Sequence, residues 1–372
     1  MVEAQTGGEK SVSSSSNCDN RTGDTKALKS PRNLLSQRIN FTTLTHQSLV
    51  SSSQLDVNIQ FNECGISTSK MKRTFDTVDV SMLDGRLLST SLDREGIELS
   101  DHCYPHVNYY DFDEVVTSYY PELQQHLHQL IPNAVRIVPF HHQVRSWRKE
   151  TVVECRGVSS EGGVERPVLQ QPKDPVCFAH SDYSLQGGMN RMQSLGRPPL
   201  PRDSWCGSNS GQPLLTAEEV QHYSSTGDFM ILHAWRNISP EKLQQHPLAL
   251  CCADSVQESA MLAYDLCYPN RTEGVMAVRY EDSQRWLYHK DLDRNELLLF
   301  KQFDTRGTAT KLHADLTGHH SVSQQQSEQG EAQFMSTFTP HSSFVETRPE
   351  QSVRQEYAGR ESIEVAVLVL LR

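Results

Sequence analysis

The chain has 372 residues, only 36% of them hydrophobic, with a mean hydropathy of −0.56, enough for one large domain with part of the chain outside its core. Acidic residues outnumber basic ones by 46 to 35, a formal charge of −11 that argues against a binder of nucleic-acid backbones. The longest apolar run, Val365 to Leu371, is far short of the roughly 18 residues of a membrane-spanning helix, and no signal-peptide core follows Met1, so the expectation is a soluble, cytoplasmic protein.

Residues 1 to 70 hold 13 Ser and 7 Thr but only two aromatics, Phe41 and Phe61. Such a composition buries too little apolar surface to offset ordering entropy, and it predicts a disordered leader. The folded domain is then expected over 71–372. FDTVDVSML from Phe75 alternates apolar and polar residues, and DGR at 84–86 marks a turn. DFDEVVTSYYPELQQHLHQLI, 111–131, places Val115, Tyr119, Leu123, Leu127 and Leu130 at helical spacing, with Pro121 starting or kinking a turn. Strand-like runs follow at 134–140, 175–182, 228–238, 275–280, 285–292, 295–303, 334–341 and 361–371. Many short strands and few helices point to a β-sandwich or barrel. The stretches near 157–174, 186–213 and 305–333 are rich in Gly, Pro, Ser or Gln and read as inserted loops.

The nine cysteines form no CxxC pair, which predicts free thiols rather than a zinc ribbon or a disulfide framework. No GxSxG, GxxxxGK[ST], strand-linked GxGxxG or HExxH occurs, which removes the common hydrolase, nucleotide-binding and zincin signatures. Three His-x-Asp triplets remain: His180–Asp182, His289–Asp291 and His313–Asp315. On a strand, i and i+2 share a face, so such a triplet delivers an imidazole and a carboxylate to one point. Two His and one carboxylate hold Fe(II) with positions left open for substrate and O2. His313 lies in a polar insert and His289 beside a charged turn, whereas His180 closes the apolar run PVCFA. At the C-terminus, Arg360 and Ser362 stand at i and i+2 at the entrance of an apolar strand. A fork and a hydroxyl there suit a dicarboxylate, or a salt bridge to Glu361 or Glu364. His341, after Pro340, falls near another strand end.

The ordered series FDTVDVSMLDGR, SLDREGIEL, NAVRIVPFHHQVR, HSDYS, AWRNI, HPLALCCADS, RWLYHKDLDRNELLLFKQFDT, TPHSSF and RESIEVAVLVL resembles the fungal, gibberellin-desaturase-like hydroxylase/desaturase family. The resemblance runs from about Phe75 to the C-terminus. It implies a mainly β, double-stranded β-helix (jelly-roll) fold and non-haem Fe(II)/2-oxoglutarate oxygenase chemistry with O2. It implies His180, Asp182 and His341 as catalytic metal ligands, and Arg360 with Ser362 as the 2-oxoglutarate site. Trp235, Arg236, Tyr288 and Lys301 fall in matching motifs and are expected to line the pocket. The substrate class it implies is a hydrophobic secondary metabolite that is hydroxylated, desaturated or oxidatively cyclised. The competing expectation is a non-catalytic jelly-roll protein assisting another enzyme, which would show a missing ligand.

Overall fold

The apolar run ESIEVAVLVLL is the spine of the molecule. In the computed structural model it forms a strand over Glu361–Leu371, buried on both faces at nearly every position. The structure describes residues 35–43, 59–60, 75–146, 173–199, 211–269, 271–317, 333–344 and 359–372, all within one unit, Asn33–Arg372.

In chain order the strands are β1 Leu35–Thr42, β2 Ile59–Gln60, β3 Phe75–Asp84, β4 Ile97–Asp101, β5 Ala134–Ser146, β6 His180–Ser181 and β7 Phe229–Asn237. They continue as β8 Leu248–Cys251, β9 Met261–Tyr268, β10 Arg271–Val278, β11 Trp286–Tyr288, β12 Glu296–Asp304, β13 His341–Ser343 and β14 Glu361–Leu371. One sheet runs β1-β3-β11-β8-β13-β6-β10-β9-β2 and the other β4-β12-β7-β14-β5. Within the smaller sheet every neighbouring pair is antiparallel.

Alternation along β14 sorts its side chains. Ile363, Val365, Val367, Val369 and Leu371 pack in one cluster with Leu123 and Leu127 of helix α1, while Ala366, Leu368 and Leu370 pack with Phe140, Met192 and Leu195 on the opposite face. Near the other end of the inner face, Trp235, Leu298 and Phe300 meet Leu248, Leu250 and Leu287 of the larger sheet.

Helix α1 spans Phe112–Leu130 in three parts: α over Phe112–Glu114, π over Val115–Tyr119 and α over Tyr120–Leu130. Asp111 caps it by accepting from the Glu114 N–H at 3.1 Å. Pro121 has no N–H for the Thr117 carbonyl; the turn before it widens, and the Tyr120 N–H donates to the Val115 carbonyl.

The sequence expectations fail at the edges of the domain. The stretch assigned to a leader supplies β1, paired over eight residues with β3 and burying Ile39 and Phe41, so the domain begins well before residue 71. Its low overall hydrophobicity hid one short alternating stretch, INFT, whose apolar residues suffice once a partner strand completes the sheet. The loops expected near 186–213 and 305–333 contain α2 Leu185–Ser194 and α4 Thr308–Thr317, while α3 Ala217–Ser225 lies just beyond the first; the insert near 157–174 falls almost wholly outside the described residues. Glycine explains α2: a Cβ on Gly187 would meet the Gly274 carbonyl of β10, so the helix packs closer to the sheet than any other residue permits. The strand expected over 175–182 is confined to His180–Ser181, and that over 334–341 gives way to β13, which begins at His341. Among the described residues Cys103, Cys177, Cys251, Cys252 and Cys267 are free, as the spacing predicted. No helix among the described residues is long and apolar enough to cross a membrane.

Candidate metal centre

Register brings the first cluster together. β6 lies between β13 and β10, with His341 directly opposite His180, so residues 161 positions apart become a cross-strand pair. Their rings stand 4.2 Å apart. Asp182, two residues beyond His180, reaches both: its Oδ1 is 3.6 Å from His180 Nε2 and its Oδ2 is 3.6 Å from His341 Nε2. One atom from each of the three side chains lies within 4.8 Å of the others.

Tautomers follow from the other ring nitrogens. His180 Nδ1 contacts the Phe178 carbonyl at 2.8 Å, and His341 Nδ1 the Thr339 carbonyl at 3.4 Å. A carbonyl only accepts, so Nδ1 carries the proton in each ring and Nε2 presents a lone pair. Two imidazole lone pairs therefore converge with a carboxylate, an arrangement that repels itself unless a cation joins it. Burial drives the His341 imidazole far below its ordinary range, and His180 pushes in the same direction. Burial raises the Asp182 carboxyl, but positive charge on His341, His180 and His233, the sign a bound cation would also bring, outweighs it and holds the group well below the usual carboxylate range. The residues present fit a two-histidine, one-carboxylate metal centre.

Gln302 braces this arrangement. Its Oε1 accepts from the Asp182 N–H at 3.0 Å, and its Nε2 donates to the Thr339 carbonyl at 3.2 Å, linking the segments that carry Asp182 and His341. The residue is fully buried on β12.

His233 and Glu364 complete the surroundings. His233 Nδ1 is 3.4 Å from Asp182 Oδ2 and 3.6 Å from Glu364 Oε1, and it has no hydrogen-bond partner among the described residues. Neither residue was singled out as a site residue from the sequence. Each interrupts a run of buried apolar residues, and that interruption was the available signal.

Arg360 is buried, with Nε donating to Ser362 Oγ at 3.0 Å and Nη1 to the His246 carbonyl at 2.8 Å, and its guanidinium lies 5.1 Å from the Trp235 ring centroid. Burial, then Arg145, pull its pKa down to about 9. The salt bridge considered as an alternative is absent among the described residues: Glu361 accepts from the Tyr110 hydroxyl at 2.6 Å, and Glu364 faces His233.

A cavity of about 730 Å3 has His180, Asp182, His233 and Glu364 in its wall. None of the four residues expected to line a pocket is in the described wall of this cavity. Trp235 belongs to the apolar block between the sheets and touches Arg360. Arg236, one position out of phase with His233, faces the other side of β7, donating to the Tyr119 hydroxyl and the His102 carbonyl, both at 3.3 Å. Tyr288 packs edge-on against Phe344. Lys301 pairs with Asp304 at 2.8 Å, both fully buried. The rejected triplets stay apart: His289 packs over Gly85, and His313 is exposed on α4.

A family model described as "Oxidoreductase/YMDC permease-like domain" matches residues 39–204 and 208–336. This match includes His180 and Asp182 and stops before His341. The chain is 22% identical over 257 residues to the hydroxylase/desaturase efuI of Hormonema carpetanum, covering 65% of this chain and 76% of that protein. It is 22% identical over 254 residues to the hydroxylase/desaturase poxK of Penicillium oxalicum, covering 61% of this chain and 66% of that protein. Among solved structures, the iron and alpha-ketoglutarate-dependent endoperoxidase NvfI superposes with a TM-score of 0.59 at 14% identity, over 92% of this chain and all of that one. The likeness agrees with the curled two-sheet architecture and identifies it as the jelly-roll fold expected from the sequence.

Proposed function

The chain belongs to the oxidoreductase/YMDC permease-like domain family, and on that premise we propose that it is a non-haem Fe(II)/2-oxoglutarate-dependent oxygenase acting on a small-molecule secondary metabolite. The observation that carries this reading is the convergence of His180 Nε2 and His341 Nε2 on Asp182, with both lone pairs fixed by backbone carbonyls. These three residues hold the metal. Iron and 2-oxoglutarate, when bound, supply O2 activation for hydroxylation, desaturation or ring closure of a substrate C–H. The protein's share is positional: Gln302 fixes two of the ligand-bearing segments, and the cavity presents the substrate beside the cluster.

Arg360 and Ser362 hold the distal carboxylate of 2-oxoglutarate. A buried guanidinium with no carboxylate partner among the described residues calls for an anion, and the Ser362 hydroxyl at its Nε adds a second polar group.

Anaerobic addition of Fe(II) and 2-oxoglutarate to the full chain is expected to give the weak visible charge-transfer band of the chelate. Protein that binds Fe(II) yet never develops the band sinks the reading. Arg360→Lys keeps the charge but loses the planar fork, at a cost of very roughly 1.5 to 3 kcal/mol. The expected result is about ten- to a hundred-fold weaker 2-oxoglutarate binding with Fe(II) affinity nearly unchanged.

A further inference from the structure

His233 and Glu364 are polar residues set into the buried strands β7 and β14. Across the pair His233 stands opposite Ala366, so Glu364, two residues along, is its diagonal neighbour on the same face of the sheet. One atom each from Asp182, His233 and Glu364 lies within 4.8 Å of the others, a second cluster that shares Asp182 with the first. The His233 ring is 4% exposed and is held edge-on by Phe300, with ring centroids 5.4 Å apart.

The buried His233 Nδ1 makes no hydrogen bond among the described residues. It stands 3.4 Å from Asp182 Oδ2 and 3.6 Å from Glu364 Oε1. An imidazolium donating to either carboxylate would draw it to roughly 2.7–2.9 Å. Atoms bound to one metal ion at about 2.0–2.2 Å and tetrahedral angles stand about 3.3–3.6 Å apart, which is the spacing found. The separations from Asp182 to His180 and to His341, both 3.6 Å, are of the same kind. Among the described residues both Asp182 and Glu364 have histidines, and no arginine or lysine, at ion-pair distance.

We infer that Asp182, His233 and Glu364 hold a second divalent first-row transition ion beside the one held by His180, Asp182 and His341, with Asp182 as the bridge. Asp182 turns Oδ1 to His180 and Oδ2 to His341 and His233, so one carboxylate reaches both groups of ligands. Two-metal sites set their ions about 3.5–4 Å apart, within the span of such a bridge. One imidazole and two carboxylates suit Mn(II), Fe(II) or Zn(II). The cavity with His180, Asp182, His233 and Glu364 in its wall is the way in. An ion with three protein ligands keeps a position open, which an oxygen donor of the substrate can take. The inference rests on the oxygenase reading for the first ion alone.

The test is equilibrium dialysis of the full chain against Mn(II), with the metal counted per chain and the bound ions read by low-temperature electron paramagnetic resonance. Two ions per chain and a spin-coupled spectrum are expected. Glu364→Gln is expected to weaken the second ion by more than about a hundred-fold, leaving one ion with the spectrum of isolated Mn(II), and His341→Ala to leave the other. His233→Phe, which keeps a ring against Phe300 and removes the ligand, takes the place of Glu364→Gln should that variant fail to fold. A single ion in the unaltered chain, kept in Glu364→Gln and lost in His341→Ala, overturns the inference and leaves the oxygenase centre standing. Two ions with an uncoupled spectrum, or two that both survive in Glu364→Gln, overturn it by placing the second ion elsewhere. A single ion lost in Glu364→Gln and kept in His341→Ala, or no bound Mn(II) at all, overturns the paired site and refutes the oxygenase centre with it.

Discussion

Two His-x-Asp triplets of identical spacing lie in or beside the same sheet, and among the described residues only one joins a cluster that could hold a metal ion. His180 and Asp182 are carried by β6 and the residue after it, with His341 opposite on β13. His289 follows β11, packs over Gly85, and is separated from its aspartate by a turn in which Asp291 adopts φ 50. An i, i+2 pair shares a face only while the backbone stays extended, and the chain leaves that conformation after Tyr288. The neighbour differs as well: β11 lies between β3 and β8, and among the described residues no second histidine is paired across from this strand. Spacing is necessary for such a centre, and strand order decides whether it forms.

The sharpest way to break this comparison is to neutralise each aspartate in turn. Asp182→Asn is expected to weaken Fe(II) binding by more than about a hundred-fold, beyond the range of residues that merely support ligands, whereas Asp291→Asn leaves it within about two-fold. Equal losses in direct metal titrations would show that the second triplet takes part. Gln302→Leu removes the brace on Asp182 and Thr339 while keeping bulk, and about a ten- to hundred-fold loss of metal affinity is expected. Unchanged affinity would reduce Gln302 to packing.

His289→Ala tests the other triplet as a structural element. Deleting a buried ring leaves a void over Gly85, with an expected cost of about 1 to 3 kcal/mol in urea unfolding and no change in metal affinity. The smallest effect is in pH. Burial pulls His289 and His142 down to about 4 and His102 to about 3, so all three rings stay neutral in the folded chain as acid is added. The unfolded chain takes up their protons below about pH 6.5. Stability is therefore full above that pH and falls through the window from about 6.5 to 4, by up to roughly 1.4 kcal/mol per pH unit for each ring. His289→Gln is expected to flatten this slope by one ring's share; an unaltered slope would show that His289 ionises freely in the native state.

The sequence was most legible where a strand is continuously apolar. β14, β7 and β12 were anticipated nearly to their ends, since runs such as ILHAW and VAVLVL cannot be placed except between two covered faces. β1 was missed because composition averages over a window, while one paired strand needs only two or three buried side chains such as Ile39 and Phe41. The assignment of Arg236 to a pocket failed on parity alone, because one residue of phase moves a side chain from the cavity to the α1 side of the sheet.

By itself the sequence determined the chemical inventory: an imidazole and a carboxylate two residues apart, a distal histidine, an Arg-x-Ser pair, and enough short strands for a two-sheet fold. Local covalent spacing and strand periodicity fix these, and neither depends on the rest of the chain. Only the tertiary structure decided which triplet meets His341, that His233 and Glu364 stand beside Asp182, and that one cavity takes in His180, Asp182, His233 and Glu364 together. Those facts depend on which strands become neighbours, and long-range pairing is set by the burial of the whole core rather than by any local segment.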